Sequence, residues 1–242
     1  MTTAAQGLTR RERLRAATVA EIRREARALL TTEGEEGVTL RAVARRMGLT
    51  PAALYRYVDS HEQLMVLVAV DVQLDLVAAL EAARDTAEPD PAVRLRAVSR
   101  EFRRWALEHR EEFGQVFANP MPALGAACEG ELEEAGQRMG MVFAELVGEL
   151  VATGRLPVPA RDEVDPALLA AVGATVPDEA KGLPVTVAVR FAQAWTRLYG
   201  CVAMEVSGQL AWAMADTSPM WELTLRETAE MMGVPDLYAP PG

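Results

Sequence analysis

Apolar and polar positions along this chain follow a helical rhythm almost from end to end. Ala, Leu, Arg and Glu recur at intervals of three and four, and no long run alternates with a period of two. About ten helices are expected, which makes the fold class all-α. The first spans 10–31, with Thr9 and Glu12 forming a capping box, Leu14, Val19, Ile22, Ala26 and Leu29 on one face, and Gly34 and Gly37 ending it. Two short helices follow at 40–47 and 51–57. A long one runs over 60–86, opened by a second capping box of Ser60 and Gln63. Pro91 suits the first turn of a helix over 91–109, and a short one covers 111–118. The run Asn119-Pro120-Met121-Pro122 predicts a loop. Helices are then expected over 126–152, 166–172 and 185–214, and a last one opens at Ser218-Pro219 and ends before Gly233 and Pro235.

Within this pattern the segment 39–58, TLRAVARRMGLTPAALYRYV, has the spacing of a helix-turn-helix. Val43, Met47, Leu49, Leu54 and Tyr57 are placed to pack between two helices. Ala44 is small where they would cross, and Gly48 sits where the turn calls for a positive φ. Thr50 caps the second helix and Pro51 takes its first position. Such a hairpin either holds a helix out for the major groove of DNA or is a structural αα-hairpin.

Charge favours the first reading. The chain carries a net −10, but residues 1–65 hold eleven Arg against eight Asp+Glu, whereas 66–242 hold fourteen Lys+Arg against twenty-seven Asp+Glu. A basic head on an acidic body binds phosphates through the head alone. Cys128 and Cys201 form no C-x-x-C pair and are expected as reduced packing residues. Neither His61 nor His109 has metal-ligand spacing, so no metal and no cofactor are expected. No nucleophile–histidine arrangement and no glycine-rich phosphate loop is present, so the chain is not expected to be an enzyme. No apolar run approaches about 18 uncharged residues, and the N-terminus lacks the stretch of a secretory signal. A cytoplasmic protein with no membrane span is expected.

The run Gly37-Val38-Thr39-Leu40-Arg41, then Ala44, Gly48-Leu49-Thr50 and Leu54-Tyr55-Arg56-Tyr57-Val58-Asp59-Ser60-His61-Glu62-Gln63-Leu64, resembles the signature of TetR-type regulators. The resemblance covers 10–67. It implies a helix-turn-helix domain over 1–60 and a helical ligand-binding and dimerisation domain over 61–242. It places Arg41, Pro51, Ala52, Ala53 and Tyr55 at base-facing or groove-wall positions, and Thr39, Thr50, Tyr57 and His61 at phosphate contacts. The family commonly has Lys where this chain has His61. Ala52 and Ala53 make no bidentate base contact, so sequence-specific hydrogen bonds are expected from Arg41, Thr50, Tyr55 or Arg56. Arg10, Arg11, Arg13 and Arg15 are further candidates for the DNA backbone.

The remainder is rich in Met and aromatic residues at helical spacing, which serve either a core or a cavity. A hydrophobic small-molecule site is expected among the helices of 91–118, 126–152 and 185–214, with Trp105, Phe117, Met121, Met141 and Trp195 as its lining. The stretch Trp195–Gly200, followed by Glu205, Gly208 and Leu210, is similar to a C-terminal type of the family called WHG, with Tyr199 in place of its His. That similarity implies a homodimer through the last two long helices, for which Phe191, Leu198, Val202, Trp221 and Leu225 are the expected interface. The expected partners are double-stranded DNA with a pseudo-palindromic operator, a hydrophobic effector and a second copy of the chain. The rival readings are a regulator that needs no ligand and a helical small-molecule carrier.

Overall fold

The computed structural model describes residues 9–118, 130–175, 183–235 and 238. All regular structure among them is helical: α1 (Arg10–Glu33), α2 (Leu40–Arg46), α3 (Pro51–Leu54), α4 (His61–Thr86), α5 (Pro91–Glu108), α6 (Arg110–Phe113), α7 (Glu131–Ala152), α8 (Pro166–Thr175), α9 (Val185–Val206) and α10 (Ser218–Met231). Short 3-10 turns lie at Glu35–Gly37 and Arg161–Glu163, and a π turn covers Gly114–Ala118. The chain divides into two compact units. One comprises Met1–Asp75 with Glu111–Ala135, the other Leu76–Arg110 with Gly136–Gly242.

The first unit starts at the capping box. The Thr9 hydroxyl accepts from the Glu12 backbone N–H, and the Glu12 carboxylate accepts from that of Thr9 at 2.6 Å. Ile22, Ala26, Leu29 and Leu30 of α1 are buried, as are Val43, Ala44, Leu54 and Val58 of the hairpin and Leu64, Val68 and Val72 of α4. Leu14, expected on the same face of α1, is exposed. Arg27 joins α1 to α4 and α6. Its guanidinium binds Glu112 at 2.6 Å, Asp75 at 2.9 Å and Asp71 at 3.3 Å. At the start of α4 the second capping box is shifted by one residue. Ser60 accepts from the Gln63 N–H, but the Gln63 side chain accepts from Asp59 rather than Ser60. By length and composition α4 could cross a membrane, with a mean hydropathy of 1.8, yet half of that window is buried. Asp71 and Asp75, the partners of Arg27, interrupt the apolar run.

In the second unit α9 packs on α5, α8 and α10. Ala92, Val147, Leu150, Leu156, Val187, Ala194, Met232 and Val234 form a core cluster. The end of α9 is fixed by a polar group. Buried Glu205 accepts from Arg103 at 2.6 and 2.8 Å and from the Thr217 hydroxyl, and Arg110 donates to the carbonyls of Glu205 and Val206. Burial alone would raise the Glu205 carboxyl, but the bonds from Arg103 and Thr217 outweigh it and hold the group below its usual range.

The helix expected over 185–214 stops at Val206. Gly208 takes φ 71°, and residues 207–213 continue as turns. Gly208 therefore terminates α9.

Candidate nucleic-acid interface and internal cavity

The turn of the hairpin is a Schellman motif. Gly48 has φ 67°, its N–H donates to the Arg45 carbonyl at 3.2 Å, and the Leu49 N–H donates to that of Ala44 at 2.8 Å. A Cβ on Gly48 would meet no atom within 4 Å, so substitution there is opposed by backbone conformation alone. Gly48→Ala is expected to cost about 1–2 kcal/mol, the usual penalty of a left-handed non-glycine residue, measured by chemical denaturation. A neutral result would show that the turn can relax.

Two threonines cap the hairpin helices. Thr39 Oγ1 accepts from Ala42 at 3.1 Å and Thr50 Oγ1 from Ala53 at 3.2 Å. Each cap uses a lone pair, so each hydroxyl proton is still available to an outside acceptor. The helix expected over 51–57 is a single turn. After Leu54 the chain tightens, with Tyr57 donating to Leu54 at 2.8 Å and Arg56 to Ala53 at 3.3 Å. Pro51, Ala52, Tyr55 and Arg56 are exposed, as are Arg41, Thr39 and Thr50, while Ala53, Tyr57 and His61 are half-buried. A tyrosine that is 51% exposed adds no core packing commensurate with its size.

Beside this surface lies an open cleft of about 720 Å³, lined by Arg10, Arg11, Leu14, Arg15, Arg56 and Tyr57. Arg15 is held in it. It donates to the Arg56 carbonyl at 3.1 Å and lies over the Tyr57 ring at 5.3 Å. No carboxylate lines the cleft among the described residues, so its ionised side chains are all cations. His61 is more constrained than its sequence position suggests. Its Nε2 stands 2.9 Å from the Val38 carbonyl, which only accepts, so the proton of the neutral ring sits on Nε2. Nδ1 then presents a lone pair and donates to a phosphate only when the ring is charged.

The second unit encloses a cavity of about 80 Å³ between α5, α7, α9 and α10. Of the expected lining, Trp195 is there. Its ring contacts Tyr199 at 5.5 Å and Phe102 and Phe143 at 5.6 Å. Trp105 is elsewhere, buried and stacked on His109 at 4.4 Å. Phe117 belongs to the first unit, against Phe113 at 5.1 Å. Met141 is half-buried and does not reach the cavity. Met121, its proline loop and Cys128 lie outside the described residues.

The residues expected at a dimer interface turn inward. Phe191, Leu198, Trp221 and Leu225 line the cavity, and Val202 is fully buried. Trp221, 1% exposed in the single chain, has no surface to offer a partner. An apolar stripe reads the same in sequence whether it faces its own core or a second copy. α5 and α7 contribute to the cavity as expected, but through Ser99, Phe102 and Phe143 rather than Trp105 and Met141. Phe143 carried a signal as one of the aromatic residues on predicted helices.

A capped, turn-linked helix pair that exposes one short helix beside an arginine-lined cleft is the apparatus of a DNA-binding regulator. The comparisons with known proteins agree. The sequence pattern of bacterial regulatory proteins of the tetR family matches residues 22–68, and that of the tetracyclin repressor-like C-terminal domain matches 95–228. The chain belongs to the TetR family of transcriptional regulators. It is 28% identical over 183 residues to the HTH-type transcriptional regulator Rv1816 of Mycobacterium tuberculosis, covering 74% of this chain and 76% of that one. Among solved structures, a protein of unknown function from Rhodococcus sp. RHA1 shares the fold with a TM-score of 0.61 and 21% identity, over 96% of this chain and 98% of that one. RolR in complex with the ligand resorcinol shares it with a TM-score of 0.59 and 18% identity, over 95% and 98%.

Proposed function

We propose that this chain is a cytoplasmic, homodimeric repressor that a hydrophobic small molecule releases from a pseudo-palindromic operator. The observation that carries the reading is the exposed face of α3, with Arg41 and the arginine cleft beside it. Pro51, Ala52, Ala53 and Tyr55 meet the groove. Arg41 and Arg56 supply base or phosphate hydrogen bonds, and Thr39, Thr50 and Tyr57 hold the backbone. The DNA-binding domain is 1–60, and the rest senses and dimerises. Two copies read successive major grooves about 34–36 Å apart.

The dimer face consists of residues that α9 and α10 leave uncovered: Thr196, Arg197 and Met204 on one, Met220 and Leu223 on the other. The apolar cavity is the effector site, a reading supported by the fold relative that was solved with resorcinol. An effector acts here only through its differential affinity for DNA-competent and DNA-incompetent states.

Selection from a random duplex pool tests the proposal. Enrichment of a palindrome is expected, and recovery of unrelated sequences would refute operator recognition. His61→Lys is expected to tighten binding on both operator and random duplex and to steepen its salt dependence by about one phosphate contact, because a lysine ammonium carries a permanent charge with three donors. An unchanged salt slope would remove residue 61 from the phosphate contacts.

A further inference from the structure

The cavity of the second unit has a chemical character that narrows its occupant. Its volume, about 80 Å³, is far below the several hundred Å³ of a typical drug-sized site, and below even the roughly 150 Å³ of an engineered cavity that binds benzene. One ring fills it. The walls favour a flat ring, because Phe102, Phe143, Trp195 and Tyr199 meet one another at tilted or edge-on angles of 30–71° and leave faces and edges for a further aromatic.

Two hydroxyls on the walls have committed their protons. Ser99 Oγ donates its proton to the Leu95 carbonyl at 2.8 Å, and Thr228 Oγ1 donates to that of Thr224 at 2.6 Å. Each hydroxyl has one proton and has used it within its own helix, so towards the cavity both are acceptors. An aromatic carboxylate would find no donor in either hydroxyl, only the Arg96 guanidinium. A quaternary ammonium would find ring faces but no counter-charge. Among the described lining residues Arg96 is the one ionised side chain and none is a carboxylate. Burial pushes the Tyr199 phenol up to about 12, so it supplies no negative charge at neutral pH.

We propose that this cavity, read above as the effector site, takes a neutral single-ring aromatic carrying one hydrogen-bond donor, of the phenol type, which donates to Ser99 Oγ or Thr228 Oγ1. A cationic analogue of the same ring is rejected.

Titration calorimetry of the full chain with phenol, toluene, benzoate and benzyltrimethylammonium tests this. Phenol is expected to bind about tenfold more tightly than toluene, the worth of one good buried hydrogen bond. Benzyltrimethylammonium is expected to give no heat where phenol saturates, and benzoate to bind more weakly than phenol, because neither hydroxyl has a proton to donate to it. The Ser99→Ala/Thr228→Val variant is expected to erase the gap between phenol and toluene while binding toluene within about twofold of the parent, which also shows that the variant is folded. An equal or tighter affinity for either ion overturns the proposal, as does a phenol–toluene gap that survives in the variant, or the failure of phenol to bind. Operator release is measured separately. Phenol that binds without releasing DNA leaves the ligand class standing and ends the effector reading. A cationic compound that competes with phenol and releases DNA keeps the effector reading and ends the ligand class.

Discussion

Ala52→Glu should abolish DNA binding, lowering affinity for operator and for random duplex by at least about a hundredfold, with no loss of stability. Ala52 is exposed on the one-turn helix α3, where its methyl group touches no core. A carboxylate there would face the phosphate-lined groove and its negative potential. Like-charge juxtaposition at an interface costs several kcal/mol, and each 1.4 kcal/mol is tenfold in affinity. The fold is spared for a local reason. Thr50 is the N-cap and Pro51 the first residue of α3, so position 52 lies in the first turn, where an acidic side chain suits the helix N-terminus. Ala52→Ser, of similar size and uncharged, should bind within about threefold of the parent, since it adds neither charge nor an obligatory buried group. Fluorescence anisotropy on the selected operator, beside thermal melting, reads both. Near-normal binding by Ala52→Glu would move the interface away from α3.

What could be read in the sequence was what is local. The Thr9–Glu12 capping box, the Thr39 and Thr50 caps and Gly48 at its turn each depend on residues within five positions of one another, and each is found in the structure. The buried positions of the hairpin, Val43, Ala44 and Leu54, also follow from spacing alone. Spacing does not separate two ends that share one pattern. The stripe of Phe191, Leu198 and Val202 is apolar because α9 packs inside its own unit, but a dimer seam would show the same period. The length of α9 was overestimated because apolar residues continue past Gly208 while the backbone does not stay helical. Long-range ion pairs left no trace at all. Arg27 and Glu112 are eighty-five residues apart, and nothing near either one announces the other.

That pair underlies the largest stability effect expected of a single side chain here. Arg27→Met should destabilise the first unit by about 3–5 kcal/mol, the usual cost of removing one partner from a buried ion pair. Three carboxylates share the guanidinium, but they do not share the cost equally. The side chains of Asp71 and Asp75 are 36% and 45% exposed, so water can take over their charge. The Glu112 side chain is 4% exposed and receives both Nε and Nη2 of Arg27, at 2.6 and 3.3 Å. Without Arg27 it is left as a buried charge deprived of its cation. The loss should therefore depend on Glu112 and be relieved by removing it. Arg27→Met/Glu112→Leu should recover most of the stability, because an apolar pair of similar volume is often neutral or better than a buried ion pair. Arg27→Lys should fall between the two. An ammonium keeps the charge but cannot reproduce the paired Nε and Nη2 bonds of the fork. Urea denaturation of the four proteins, followed through the transition that reports the first unit, measures the series. A loss below about 1 kcal/mol in Arg27→Met, or no recovery in the double variant, would mean that Glu112 takes up a proton or reaches water once Arg27 is gone, and that the charge cluster does not hold α1, α4 and α6 together.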